Sequence, residues 1–330
     1  MYEAAGTRVR EVSGEDLDEV PAGAPDAACD TPALIKGREE HVEQAEAGAL
    51  VEEAQKAWDR EEWLRAAELY EQVLAHYPDE EPSAAWWYDA ALAHKFLRNW
   101  AKAYELGREA AARAPRGAGD PAYWNLGIAA TVQRDWATAR DAWQGFGIEL
   151  PDGEGQIDHG LGPACVRLDT GGEQEVVWIQ RLCPTRGRVM NVPVTQGRRF
   201  GEIVVHDGVP NGERTYDGGT VAVFDELLLF EASELPTLHV TVHARAADDV
   251  DALVRSFFDQ DFGAEPASGL KMLCACCSEG SVDYTDKAVS THGGTQKVWL
   301  AAPEPEAREL LDAWAAAAGE RAWSELESVG

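Results

Sequence analysis

The sequence predicts an α+β chain of two unlike halves: stacked helical hairpins first, then a mostly antiparallel α+β domain. Three observations predict it. A tryptophan-centred pattern recurs at residues 63, 100 and 136, spaced 37 and 36 residues apart, with a proline 15 residues after each, at Pro78, Pro115 and Pro151. A fixed period of this size marks one supersecondary unit stacked on its neighbours. Beyond residue 152 the spacing changes to Val- and Ile-rich runs divided by Gly, Pro and Asn clusters, which is the pattern of strands.

The first 32 residues mix Glu, Asp, Gly, Ala and Pro without periodicity, and an acidic disordered segment is expected there. Helical spacing begins near Ile35. A repeat domain is expected over 33–151, its helices broken at Pro78, Pro82, Pro115, Pro121 and Pro151, because proline cannot continue a helix interior. Its pieces are Glu62-Trp63-Leu64-Arg65-Ala66, Asn99-Trp100-Ala101-Lys102-Ala103 and Asp135-Trp136-Ala137-Thr138-Ala139. Each unit is a hairpin whose apolar face is too large to bury alone.

These residues resemble the tetratricopeptide repeat (TPR) family over about 45–151. The third copy carries Tyr123, Leu126-Gly127, Asp135-Trp136, Ala139, Trp143, Phe146 and Pro151 at the family's positions; the middle copy carries Trp87, Ala91, Trp100, Ala103, Ala110 and Pro115 but has Gly107 where an aromatic is usual. The first copy carries Ala54, Trp63, Tyr70, Val73 and Pro78 and lacks the Leu-Gly pair. The resemblance implies a concave surface lined by the first helix of each hairpin. That face would be formed by Val51, Gln55 and Trp58, by Tyr88, Leu92, Lys95 and Phe96, and by Trp124, Asn125, Ile128 and Thr131. An exposed apolar face of this kind is a binding site for another chain. The competing expectation is that the C-terminal half packs into it, since three repeats form a short stack whose ends need covering.

In the α+β domain, 152–330, strands are expected at Ala164–Leu168, Glu175–Leu182, Arg188–Val194, Phe200–His206, Thr220–Phe230, Leu238–Ala244 and Gln296–Ala301, with turns at Asn211-Gly212 and Asp217-Gly218-Gly219. Helices are expected at Asp248–Phe258, with Val250, Leu253, Val254 and Phe257 on one face, and after Pro303. This half resembles only the C-terminal regions of uncharacterised bacterial TPR proteins, which assigns no activity.

Leu273-Cys274-Ala275-Cys276-Cys277 holds one Cys-x-x-Cys, a spacing at which two thiolates can grip zinc. A structural site needs two more ligands, for which Cys276, Cys183, Cys165 and His292 are the candidates. A redox role would want the motif at a helix N-terminus, and small buried thiols are the plain alternative. His239 and His243 lie on an alternating, strand-like run, which separates their rings by roughly 13 Å and denies them a shared ion. His206-Asp207 is placed at a strand end. No phosphate loop, His-Glu-x-x-His or Gly-x-Ser-x-Gly motif occurs, which favours binding over catalysis.

Lys and Arg number 29 against 59 Asp and Glu, a net charge of −30. Such a chain is repelled by nucleic-acid backbones and anionic membranes and attracts basic partners. No secretory signal or membrane span is evident, and six cysteines are too few for a disulfide scaffold, so a reducing cytoplasm is the expected compartment. The expected function is a protein-interaction adaptor without cofactor. An immunity-like protein neutralising a basic toxin, or a zinc- or redox-active cysteine domain carried by the repeats, are the alternatives.

Overall fold

The computed structural model describes residues 31–169, 175–216, 219–267 and 293–329. Met1–Gly48 and Ala49–Gly330 are two compact units. Six helices come first: α1 (Thr31–Trp58), α2 (Trp63–His76), α3 (Ser83–Phe96), α4 (Trp100–Arg113), α5 (Pro121–Val132) and α6 (Trp136–Phe146). The recurring tryptophan motif has a backbone cause. Each tryptophan opens the second helix of a hairpin and follows its N-cap residue, Glu62, Asn99 or Asp135, and in two of the three that residue caps with its side chain. Asn99 accepts from the Lys102 N–H and Asp135 from the Thr138 N–H, each satisfying an orphan donor of the first turn. The turns match as well. Glu61, Arg98 and Arg134 share a left-handed φ of 59°, 56° and 60°. The N–H of the next residue then reaches back to Ala57, His94 and Ala130. That is the Schellman closure of a helix, with a non-glycine residue at its left-handed position.

Small residues let the helices approach. A Cβ on Gly127 would meet the Trp143 ring at 2.5 Å, so the third hairpin closes only with glycine there. Ala54, Leu69, Tyr70, Leu74, Ala90, Ala91 and Leu106 form the core of the first two hairpins.

A closed five-stranded barrel follows, in the order β1 (Pro163–Arg167), β2 (Val176–Arg181), β3 (Arg186–Val189), β4 (Ile203–Tyr216), β5 (Gly219–Glu231). The pairs are antiparallel except β1 with β5, which run parallel and close it. Its interior holds Ala164, Val166, Leu168, Val177, Ile179, Val189, Val204 and Phe224, the inward members of alternating runs.

The last layer is a four-stranded antiparallel sheet in the order β7-β8-β6-β9, built from β6 (Thr237–Ala244), β7 (Gly263–Pro266), β8 (Gly294–Ala301) and β9 (Ala322–Ser328). With α7 (Ala247–Phe258) and α8 (Glu304–Ala316) the order among the described residues is β-α-β-β-α-β, the split arrangement of ferredoxin-like folds. Leu238, Val240 and Val242 meet Val250, Leu253 and Phe257 of α7 and Leu311 and Trp314 of α8 across one face.

Three expectations need correction. The strand expected over 188–194 ends at Val189. The backbone then leaves the sheet, and the N–H groups of Val192, Val194 and Thr195 go to the Glu265 and Glu175 carboxylates instead. Asn211-Gly212 is not a hairpin turn but an irregularity within β4, where the register shifts between Pro210 and Glu213 and Gly212 takes φ +127°. His206-Asp207 therefore sits inside β4 rather than at its end. The strands β7 and β9 have no counterpart in the sequence pattern.

Candidate functional site

Some of the residues expected to line a concave helical face meet the barrel. Three of the expected members lie against β4, β5 and the β2–β3 connection. Lys95 is 5% exposed, and its ammonium donates to the Asp207 carboxylate at 2.9 Å and to Asn125 Oδ1 at 3.3 Å. Trp124 lies directly on Gly208, where any side chain would collide with the indole. It also makes edge contacts with Trp143 and Phe146, at 5.1 and 5.0 Å between ring centroids. Ile128 is fully buried among Cys183, Val205, Leu227, Leu228 and Phe230. Thr131 is also fully buried.

The seam is sealed at its margins. Arg134 pairs with Glu231 and Arg98 with Asp169. Arg186, fully buried, donates to the Ile157 carbonyl and stacks between Trp136 and Phe230, 5.0 and 5.3 Å from their centroids. This stretch of the face is thus filled by the chain's own barrel.

The other expected residues are Val51, Gln55 and Trp58 on α1, and Tyr88, Leu92 and Phe96 on α3. Trp58, Trp63 and Phe96 form an aromatic cluster with centroid separations of 5.1, 6.1 and 4.6 Å. Phe96 is 42% exposed, and Leu64 and Leu97 beside it are exposed too.

Sequence reasoning missed a polar pair between α2 and α3. Asp89 is half-buried on α3, and its carboxylate takes a hydrogen bond from the Tyr70 hydroxyl of α2. Burial raises its pKa to about 6, against the weaker lowering effect of Tyr70. Tyr70 is itself pushed well up, first by burial and then by Asp89 and Asp59. Burial raises Tyr88 also; a hydrogen bond with Asn125 opposes this, while the Asp89, Asp120 and Asp207 carboxylates add to it. One signal could have found Asp89: it stands 36 residues before Asn125, the repeat spacing.

The other candidates do not converge. His206 is fully buried in the barrel beside Phe224, at 4.7 Å, and burial lowers its pKa to about 4. Its Nδ1 meets the backbone carbonyl of Asp207, while the Asp207 carboxylate is engaged by Lys95. The two side chains therefore make no orienting pair. His239 bonds Glu327 and His243 bonds Thr295. Cys274, Cys276, Cys277 and His292 lie outside the described residues. Cys165 and Cys183 are buried in different clusters, and among the described residues no group of His, Cys, Asp or Glu could hold a metal. No helix among the described residues is long and apolar enough to cross a membrane. Neither the protein-family models nor the curated proteins compared with this chain match it.

Proposed function

We propose that the protein is a TPR-like interaction module that binds a segment of another protein along the uncovered stretch of its concave face. The observation that carries this reading is the Trp58–Trp63–Phe96 cluster with Phe96, Leu64 and Leu97 exposed to solvent. Contiguous exposed apolar surface is unfavourable in water and is retained where a partner covers it. The repeated turn and cap geometry supports the TPR-like reading. The reading needs no cofactor and no catalytic group.

The test places a photo-crosslinking p-benzoylphenylalanine at position 96 in the native host, and separately at Ile128. The reading predicts one defined crosslinked partner from position 96, lost when Trp58→Ala is added, and none from position 128. Equal capture from both positions would sink it.

A further inference from the structure

An indole–phenyl pair of this repeat already holds a cation elsewhere in the chain. Trp136, which opens α6, meets Phe230 of β5 edge-on at 6.2 Å between centroids. The Arg186 guanidinium lies 5.0 and 5.3 Å from those two centroids. Its charge is met by the Ile157 carbonyl at 2.6 Å and the Asp158 carboxylate at 3.1 Å. A planar guanidinium stacks on rings while its N–H groups bond in the plane, which a compact ammonium does less well.

Trp63 is the repeat counterpart of Trp136. It opens α2 and meets Phe96 of α3 at 4.6 Å, but here Phe96 is 42% exposed. A groove of about 460 Å³ runs beside the pair. Trp63, Leu64 and Leu97 form its apolar side; Glu61, Glu62 and Glu68, with Arg65, form its charged side. The leucines are particular to this copy. At the repeat spacing Leu64 becomes Ala101 and Ala137, and Leu97 becomes Gln133. Leu64 is 57% exposed all the same. Apolar side chains set outward in one copy alone add little to the stack and mark a contact surface.

The charge of the groove suits a cation. Residues 59–68 carry Asp59, Glu61, Glu62 and Glu68 against Arg60 and Arg65. Arg65 faces Glu53 at 3.4 Å. Arg60 is exposed at the turn, between Asp59 and Glu61. Lys95 comes within 5.7 Å of the Phe96 centroid, with its ammonium anchored on Asp207. A second copy of the chain, at a net charge of −30, is a poor occupant.

We propose that the groove beside Trp63 and Phe96 takes an arginine of a partner segment, flanked there by apolar residues. The guanidinium stacks on the two rings and faces Glu61, Glu62 and Glu68, and the apolar neighbours cover Leu64 and Leu97. This rests on the interaction reading above and names the chemistry of the partner.

The test is a fluorescence-anisotropy titration of the full chain with three short synthetic peptides, in which leucine alternates with arginine, citrulline or lysine. Citrulline keeps the shape of arginine without its charge, and lysine keeps the charge without the plane. The arginine peptide should bind about tenfold or more tighter than the citrulline peptide, and a few fold tighter than the lysine peptide. Phe96→Leu, which removes the ring and keeps an apolar residue, should weaken the arginine peptide by about threefold or more. Glu62→Gln combined with Glu68→Gln should weaken the arginine and lysine peptides and leave the citrulline peptide unchanged. Arg60→Gln should leave the arginine peptide as tight or tighter, and Glu309→Gln, on α8, should change nothing. Thermal unfolding shows that each variant is folded. No binding of the arginine peptide, or equal binding of arginine and citrulline peptides, overturns the proposal. So does arginine affinity that ignores both Phe96→Leu and the glutamate pair, or that falls on Arg60→Gln. The interaction reading is tested apart from this, by the crosslink from position 96. A partner captured there, with arginine and citrulline peptides equal, removes the arginine and keeps the docking face.

Discussion

A carboxylate whose pKa rises from its usual 3.8 to about 6 on folding is a debt the fold carries at neutral pH. The protonated form is the one the folded chain tolerates. The stability it retains is therefore complete below about pH 4 and is lost as the pH climbs through about 6. A shift of two units corresponds to at most ~3 kcal/mol, less after solvent screening of a half-buried group. Asp89→Asn should thus raise the urea midpoint at pH 7.5, with the gain shrinking as the pH falls below 5. A variant no more stable than wild type at pH 7.5 would show that Asp89 is already compensated. His206 carries the opposite sign: its depressed pKa of about 4 means stability present above pH 6.5 and lost as the pH falls toward 4. Neither residue announces itself in one sequence. Asp89 lies at the repeat spacing from Asn125, but its burial against Tyr70 depends on how α2 packs on α3, which no local window contains.

Within single elements the sequence was most readable where the period was exact. Trp63, Trp100 and Trp136 marked three second helices, and Asn99 and Asp135 proved to be their caps. The Leu126-Gly127 pair marked a close helix approach. Gly127→Ala drives a Cβ into Trp143, and overpacking of this kind should destabilise the protein by about 1–3 kcal/mol in urea unfolding. An unchanged midpoint would mean the third hairpin is looser than its geometry. β5, β6 and α7 were legible from their alternation or their apolar face. β7 (Gly-Ala-Glu-Pro) and β9, mostly exposed, were not, because edge strands bury too little to impose a pattern. The end of β3 was misplaced for a different reason: Glu175 and Glu265 recruit backbone N–H groups that a ladder would otherwise use, a long-range competition no local window contains.

Over the whole molecule, one barrel organises the rest. Its β4–β5 side packs against Lys95, Trp124 and Ile128 of the helices. Elsewhere Val192 and Phe200 pack with Ala301, and Asn191 grips Glu265 of the last sheet with contacts of 3.1 Å to both carboxylate oxygens. Barrel closure was not readable, because the parallel β1–β5 pair joins residues 58 apart by sequence. The sequence suggested both a binding groove and a groove filled by the chain itself. Of the expected residues, Lys95, Trp124 and Ile128 meet the barrel, while Phe96 is exposed. That division is the central claim, and it assigns different consequences to the two stretches. The direct measurement is the partner crosslinked from p-benzoylphenylalanine at position 96, read beside the urea midpoint, with Trp58→Ala or Ile128→Val added. The account predicts that Trp58→Ala abolishes the crosslink. Ile128→Val should lose about 0.5–1.5 kcal/mol of stability with the crosslink intact. A crosslink lost on Ile128→Val and retained on Trp58→Ala would contradict it.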